Sequence, residues 1–458
     1  MKVEMIMNCP FTDAGNSERL EMALQEDWRY LPAIGKWLKW TGQRWQEQDE
    51  AALYVAAVEA YRRMIDAVYS LPRAADKAER ERREHLMDWL EKSENASKIK
   101  NAVVFLRDLL KDDYKEYDAN PFLLNVQNGT LDLKSGKLLP HDRADKLTKV
   151  CATPYVEHPA IGLWIETVAQ IIPDPDVRKW LQCFVGYCLT ASTQEEKFLI
   201  AYGPGGRGKG TFWETIAAAL SDYKTVVPID ILLTSGITDT GNNPTPELAK
   251  LPGKRLVLSS ESGKGRRLDE AKVKLLTGGD VITARRLHCE PFDFRPAFKL
   301  ILQTNYLPSL TDSLDLGIQR RTVIIPFTAR LETNPKLKAE LLKMENLTSC
   351  LSWCVDGCRE WIRHGLGEVP PAAKAAADAY YKENDLLGQW LDERTENCSG
   401  GFLLFDKALS DFNDWLTVGG TGTRYQRKGF AEAMERHGKA KIRKSTGTGY
   451  PDLCIRCT

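Results

Sequence analysis

No stretch of this chain limits its fold more than Phe198–Thr211, FLIAYGPGGRGKGT. A brief apolar run, Phe198, Leu199 and Ile200, leads into a loop with five glycines between Gly203 and Gly210. The next segment, TFWETIAAAL, has helix-forming composition and neither Gly nor Pro. Strand, glycine-rich loop and helix in that order turn backbone N–H groups toward one point beside a helix N-terminus, which favours a bound phosphate. The spacing fits G-x-x-x-x-G-K at Gly203, Gly208 and Lys209. The expected cradle is therefore Gly203, Pro204, Gly205, Gly206, Arg207, Gly208, Lys209, Gly210 and Thr211, with Lys209 supplying positive charge at the outer phosphates. The residue after the lysine ordinarily holds Mg²⁺ by a Ser or Thr hydroxyl. Here it is Gly210, and the hydroxyl stands one place later at Thr211.

Two further buried strands follow. Lys254–Glu261, KRLVLSSE, ends on a carboxylate, and the extended run Phe292–Leu302 continues to LILQTN with a polar tip at Asn305. In open α/β sheets the ligand sits at the carboxyl ends of the strands. A phosphate loop, a carboxylate and an amide at three such ends suit nucleoside triphosphate hydrolysis. Glu261 would hold Mg²⁺ or polarise the attacking water, and Asn305 would position that water. Arg320 and Arg321 precede another apolar run, TVIIPF; an arginine from a neighbouring subunit can stabilise charge built up in phosphoryl transfer.

Length alone predicts two to four domains. Lys+Arg and Asp+Glu both total 63, so any nucleic-acid signal must be local. Two places offer one. ARRLHCEPFDFRP reads as a hairpin whose tip carries Arg285, Arg286 and His288, cations that can grip a phosphate backbone without reading sequence. Residues 424–444 hold eight cations, among them Arg427, Lys428, Lys441 and Arg443, against two acids. Their helix, turn, basic strand layout is that of a small winged-helix module.

The remaining segments are less specific. Asp13 and Asn16 open a helix, WLKWTGQRW suggests a turn between short aromatic strands, and residues 48–117 are helix-like. From Asn120 to His141 the pattern is that of a β-meander. Val369-Pro370-Pro371 marks a boundary. The expected domains are 1–160, helical plus meander; 161–366, the ATPase core with its preceding helices; and 372–458, winged-helix-like. Eleven cysteines in a chain of this length predict reduced thiols, with Cys350, Cys354 and Cys358 along one buried helical face. A lone C-x-x-C at Cys454 and Cys457 has no partner ligands nearby for zinc. No apolar run approaches the ~20 residues that span a bilayer, and MKVEMIMNCPF lacks a signal-peptide core, so the expectation is a cytoplasmic protein with no membrane partner.

GPGGRGKGTF, RLVLSSE, VKLLTGGDVITAR, FKLILQTN and RRTVIIPF occur in that order. This succession resembles the superfamily 3 helicases found in phage and plasmid replication primase–helicases, relatives of the poxvirus helicase-primase. TDAGNSERL, DYKEYDANPF and NVQNGTLDL are similar to the domain preceding the helicase there. The resemblance covers nearly the whole chain from about Thr12. It implies an AAA+-type ATPase core that binds ATP and Mg²⁺ and assembles as a ring, a hexamer, around single-stranded or forked DNA. It implies that Arg320 or Arg321 reaches a neighbour's ATP and that Arg285, Arg286 and His288 enter the channel. Lys274 and Asp280 match its K-x-L-T-G-G-D motif, which places Lys274 among the expected DNA contacts. It further implies a bacterial host cytoplasm and a separate primase or replication initiator as partner, since the helical first ~100 residues offer no catalytic primase sheet. Ser260 stands where many relatives carry a second acid.

The leading expectation is an ATP-dependent DNA helicase for replication of a phage, plasmid or other mobile element. Alternatives are an origin-melting initiator or loader ATPase, a small-molecule kinase of the same loop class, and a catalytically inactive DNA-binding scaffold.

Overall fold

The computed structural model describes residues 3–159, 162–234, 245–260, 265–287, 291–332, 334–421 and 424–456. The first segment is helical, as its periodicity predicts. Helices α1 (Val3–Asn8), α2 (Asp13–Leu24), α3 (Glu50–Tyr69), α4 (Lys77–Ser93) and α5 (Ala96–Leu109) share one apolar core with Trp28 and Trp37. Thr12 caps α2 by accepting the Gly15 N–H at 3.1 Å. A small antiparallel sheet, β1 (Trp28–Leu31), β2 (Lys36–Trp40) and β3 (Trp45–Gln48), interrupts the helices. The aromatic turn was legible; β1 was not. The meander follows as β4 (Leu123–Val126), β5 (Gly129–Asp132) and β6 (Lys137–Leu139).

After α6 (Leu163–Ile171) and α7 (Pro175–Cys188) comes a five-stranded parallel sheet. Its strands are β7 (Phe198–Tyr202), β8 (Lys224–Pro228), β9 (Leu256–Ser260), β12 (Lys299–Thr304) and β13 (Thr322–Pro326). Between them lie α8 (Lys209–Leu220), α9 (Glu270–Thr277), the hairpin β10 (Ile282–Arg285) and β11 (Pro291–Phe294), and α10 (Leu316–Gln319). The spatial order is β13-β7-β12-β9-β8, which is 5-1-4-3-2 counted within the sheet. The expected single run from Phe292 is two strands. Pro296 lacks an N–H to continue a ladder, and the chain turns there from hairpin into sheet.

Successive side chains of the central strands point to opposite faces, and both faces are buried. Leu199, Ala201, Leu256, Leu258, Ile301, Val323 and Ile325 face one core, shared with α6, α7, α8 and α12 (Met344–His364), which follows α11 (Leu337–Leu341). Phe198, Ile200, Val257, Leu300, Leu302 and Ile324 face the other, closed by α9 and by Tyr380 of α13 (Pro371–Asn384). Tyr380 donates its hydroxyl to Pro308 O at 2.6 Å, so the helix after Pro370 packs on this sheet. Cys350, Cys354 and Cys358 are fully buried thiols on α12, as their spacing predicts.

The chain then forms α14 (Leu386–Arg394), β14 (Thr395–Leu404), α15 (Phe405–Val418), α16 (Arg427–Arg436), β15 (Ile442–Lys444) and β16 (Gly447–Ile455) around its own core. Helix, strand, two helices and a two-stranded wing is a winged-helix order. The expectation of uniformly reduced thiols fails here: Cys398 and Cys454 form a disulfide across the bulge between β14 and β16. Cys457, the other half of the C-x-x-C, lies outside the described residues.

Candidate nucleotide site and nucleic-acid surfaces

The site begins with β7, whose residues are buried between β13 and β12 and hold the following loop at the carboxyl edge of the sheet. Two loop glycines are required sterically. A Cβ on Gly203 would overlap the Phe327 carbonyl oxygen. Gly208 has φ +81°, and a Cβ there would press within 2.7 Å of Ile171 and 2.9 Å of Leu331. Gly205 and Gly206 have nothing within 4 Å on that side and leave the cradle open. Gly208 is the N-cap of α8 and offers no side chain to its first-turn N–H groups, which point into the loop. That arrangement fits the phosphates of a nucleoside triphosphate.

Lys209 is only 8% exposed. Its ammonium donates to Gly203 O, to Pro204 O at 2.9 Å and to Asn305 Oδ1 at 3.0 Å. Burial pulls its pKa below the ordinary lysine value. β7 and β12, adjacent in the sheet, thus bring Lys209 and Asn305 together across 96 residues of sequence. Glu261 lies outside the described residues. For the metal, position matters. Thr211 stands one residue beyond Gly210 and is turned about 100° around α8 from it. The Thr211 hydroxyl therefore does not face where a hydroxyl at position 210 would. Among the described residues no group of three His, Cys, Asp or Glu side chains could by itself hold a metal ion.

Arg320 and Arg321 lie at the opposite edge of the sheet. Thr322 pairs with Phe198, and Phe198 donates its N–H to Arg321 O at 2.8 Å. Five strand residues separate that level from the phosphate loop, about 16 Å. Within one chain these arginines do not reach it. Both instead bind Glu196, each at 2.8 Å. Glu196 has φ +50°, uncommon for a residue with a Cβ. Its role was not legible, because QEEK reads as a solvated loop.

The predicted DNA contacts fall in two regions. Arg286 follows β10, 3.7 Å from Glu47 on β3 and over the Phe292 ring at 5.6 Å. Arg285 is held at its backbone by Thr245 at 3.0 Å. His288 lies outside the described residues. Lys274 of α9 bonds Asp315 at 2.5 Å. In the winged helix, Arg427 pairs with Asp406 and lies over Phe405 at 4.8 Å, while Lys441 approaches the same ring at 5.6 Å. Lys428 has a 91% exposed side chain, and Arg443 is exposed on β15. Lys428, Arg427 and Lys441 line a cavity of about 790 Å³ between α16 and the wing. Arg436 ties this module to Asp312 of the ATPase core.

Residues 17–186 match a protein family described as D5 N terminal like. Residues 201–321 match a family of unknown function, DUF5906. A protein of Acanthamoeba polyphaga mimivirus, L207/L206, named as a candidate helicase, is 27% identical over 337 residues, covering 67% of this chain and 34% of the relative. Frog virus 3 protein 022R, named likewise, is 24% identical over 347 residues, covering 71% and 34%. African swine fever virus C962R, named as a candidate primase, is 23% identical over 326 residues, covering 66% and 34%. The chain spans about a third of the length of the curated relatives it matches. Among solved structures, the apo NrS-1 C-terminal region shares the fold: the TM-score is 0.52 at 9% identity, over 96% of this chain and 99% of that one. Among the described residues no helix is long and apolar enough to cross a membrane.

Proposed function

We propose that this chain, similar to D5 N terminal like proteins and to candidate helicases and primases of large DNA viruses, is an ATP-dependent DNA motor, a helicase of replication. It works as a ring in which each nucleotide lies between two subunits. The observation that carries this reading is the split of the phosphate chemistry between the two edges of one sheet. Lys209 and Asn305 meet at the carboxyl edge, while Arg320 and Arg321 stand at the amino edge, out of reach of that loop. When ATP enters, Lys209 exchanges the Gly203 and Pro204 carbonyls for phosphate oxygens, and Asn305 is freed to orient the attacking water. A neighbour's Arg320 or Arg321, released from Glu196, stabilises the transferring group. Arg285, Arg286 and His288 act on the strand in the channel; Arg427, Lys428, Lys441 and Arg443 act on DNA outside it. A hexamer, a separate primase partner and a mobile-element or viral replicon complete the reading.

Mixing tests the split site. One variant carries Lys209→Ala, the other Arg320→Ala with Arg321→Ala. Each is expected to be inactive alone, and ATP hydrolysis is expected to return when the two are co-assembled. Hydrolysis that stays absent in the mixture contradicts a shared site.

The nucleotide would bind as its Mg²⁺ complex, with Glu261 the carboxylate expected to help hold the ion. Gly210→Ser restores the usual hydroxyl at little steric cost. Its Cβ would meet only side-chain ends, Glu214 at 3.3 Å and Lys338 at 3.9 Å. Replacing a helical glycine also adds a few tenths of a kcal/mol of stability. The variant is expected to hydrolyse ATP at several-fold lower Mg²⁺ concentration. An unchanged Mg²⁺ titration would place the metal's protein ligands away from this turn of α8.

A further inference from the structure

A second cavity, about 1350 Å³, lies between the N-terminal sheet β1–β3 and the amino edge of the ATPase sheet, on the side away from the phosphate loop. It is larger than the ~300–1,000 Å³ typical of a small-molecule pocket. Seven cationic and four acidic side chains line it, in a protein whose net charge is zero. The cations stand on both walls. Arg44 and Lys149 come from the N-terminal side, Lys254 and Arg295 from the ATPase side, and Arg286 of the hairpin also lines it.

Arg44, Lys250 and Arg286 are ion-paired, whereas Lys149, Lys254 and Arg295 are anchored on neutral groups. The Lys254 ammonium donates to the Asp222 carbonyl at 2.6 Å, and Lys149 donates to the Thr148 hydroxyl at 2.7 Å. Arg295 donates to the Gly279 carbonyl at 2.6 Å. Two carboxylates stand near this group: Asp222 is paired with Arg44, and Asp118 accepts from the Thr148 hydroxyl beside Lys149. Burial, with repulsion from Lys149, Lys224 and Arg44, brings Lys254 down to about 8. Gly253, next to Lys254, has φ +73°, and where its Cβ would be the Asp118 carboxylate lies at 3.0 Å and the Lys149 stem at 3.1 Å.

We propose that this cleft binds the phosphate backbone of single-stranded nucleic acid, with Lys149, Lys254 and Arg295 as contacts that continue the track of the β10–β11 hairpin. This rests on the reading of the chain as a DNA motor. Neutral anchors orient these three heads, and the excess of seven cations over four carboxylates leaves the cleft net positive, so that a phosphate backbone bound there releases its counterions. Cations on facing walls suit a flexible strand threaded between them.

The test is fluorescence-anisotropy titration of the full chain with a labelled oligo-dT strand across a salt series, repeated with a blunt duplex. Each phosphate contact on a single strand contributes about 0.7 to the slope of log affinity against log salt. Lys149→Gln with Lys254→Gln is expected to lower that slope by about 1.4 and to weaken oligo-dT binding roughly tenfold. Duplex binding, assigned to the winged helix, is expected to be unchanged. The charge-keeping pair Lys149→Arg, Lys254→Arg is expected to retain the slope. Should the double Gln variant fail to fold, single Lys149→Gln is expected to lose about 0.7. An unaltered slope in the Gln variants, or an equal loss on duplex, overturns the cleft while the motor reading stands. Absence of any single-strand binding by the unaltered chain overturns both.

Discussion

Lys209→Ala is expected to reduce ATP hydrolysis at least a hundredfold, with and without DNA, while leaving the chain folded. The side chain is almost wholly enclosed, and its three hydrogen bonds go to two loop carbonyls and to Asn305. No other described cation shares that position: Arg207, the other cation of the loop, leans toward the Ala329 carbonyl at 3.4 Å. Removing a positioned donor from a developing negative charge in an enclosed site costs about 3–4 kcal/mol, or 10²–10³ in rate. The folded state bears little of this loss, since both loop carbonyls border the open cradle where water can replace the ammonium. Phosphate release measured alongside thermal unfolding separates the two effects. Hydrolysis equal to that of the unaltered chain would remove Lys209, and with it the whole assignment of the loop.

The second large effect is structural. Helices α7 and α12 cross where Gly186 meets Gly357 and Cys358. A Cβ on Gly186 would overlap the backbone of Gly357 and Cys358, and a Cβ on Gly357 would overlap the Gln182 carbonyl. Backbone cannot move aside as a side-chain end can. Gly357→Ala therefore forces the helices apart through a core that holds Cys354, Cys358, Phe184 and Trp361. Such overpacking costs about 3 kcal/mol, against a helix-propensity gain near 1. The expected fall in Tm is on the order of 2–5 °C. Gly279→Ala is the control: its Cβ would meet only Thr193 Oγ1, at 3.9 Å, and the expected change is within about 0.5 kcal/mol. Equal stability of the two variants contradicts the close crossing. The crossing bears on function because α7 and α12 back the sheet face on which α8, and so the phosphate loop, is seated.

What could be read from the sequence was local. β7, the loop and α8 announce themselves because apolar run, glycines and helix formers are contiguous. The wing was legible from clustered charge. The edge strand β8 was not, since Lys224–Pro228 is short, begins on a charge and leaves Val226 56% exposed. Strand order was equally hidden, because pairing of β7 with both β12 and β13 joins segments about 100 residues apart. The same holds for partners. Glu196 meets Arg320 across 124 residues, Lys274 meets Asp315 across 41, and Cys398 meets Cys454 across 56. Spacing along the chain carries no record of such contacts. The C-x-x-C at Cys454 drew attention to the wrong neighbour for that reason. The phosphate loop keeps its reading but gains a limit: Thr211 is on the wrong face of α8 to stand in for Gly210.

Strand displacement tests the central claim most directly. A labelled strand annealed to a partner with a 3′ or 5′ single-stranded tail is incubated with the chain and ATP, and its release is followed in parallel with ATP consumption. An ATP-driven motor is expected to release the strand from one tail polarity, to stop when a non-hydrolysable analogue replaces ATP, and to fail with Lys209→Ala. Release that proceeds equally with the analogue, or hydrolysis without release from either substrate, would contradict it.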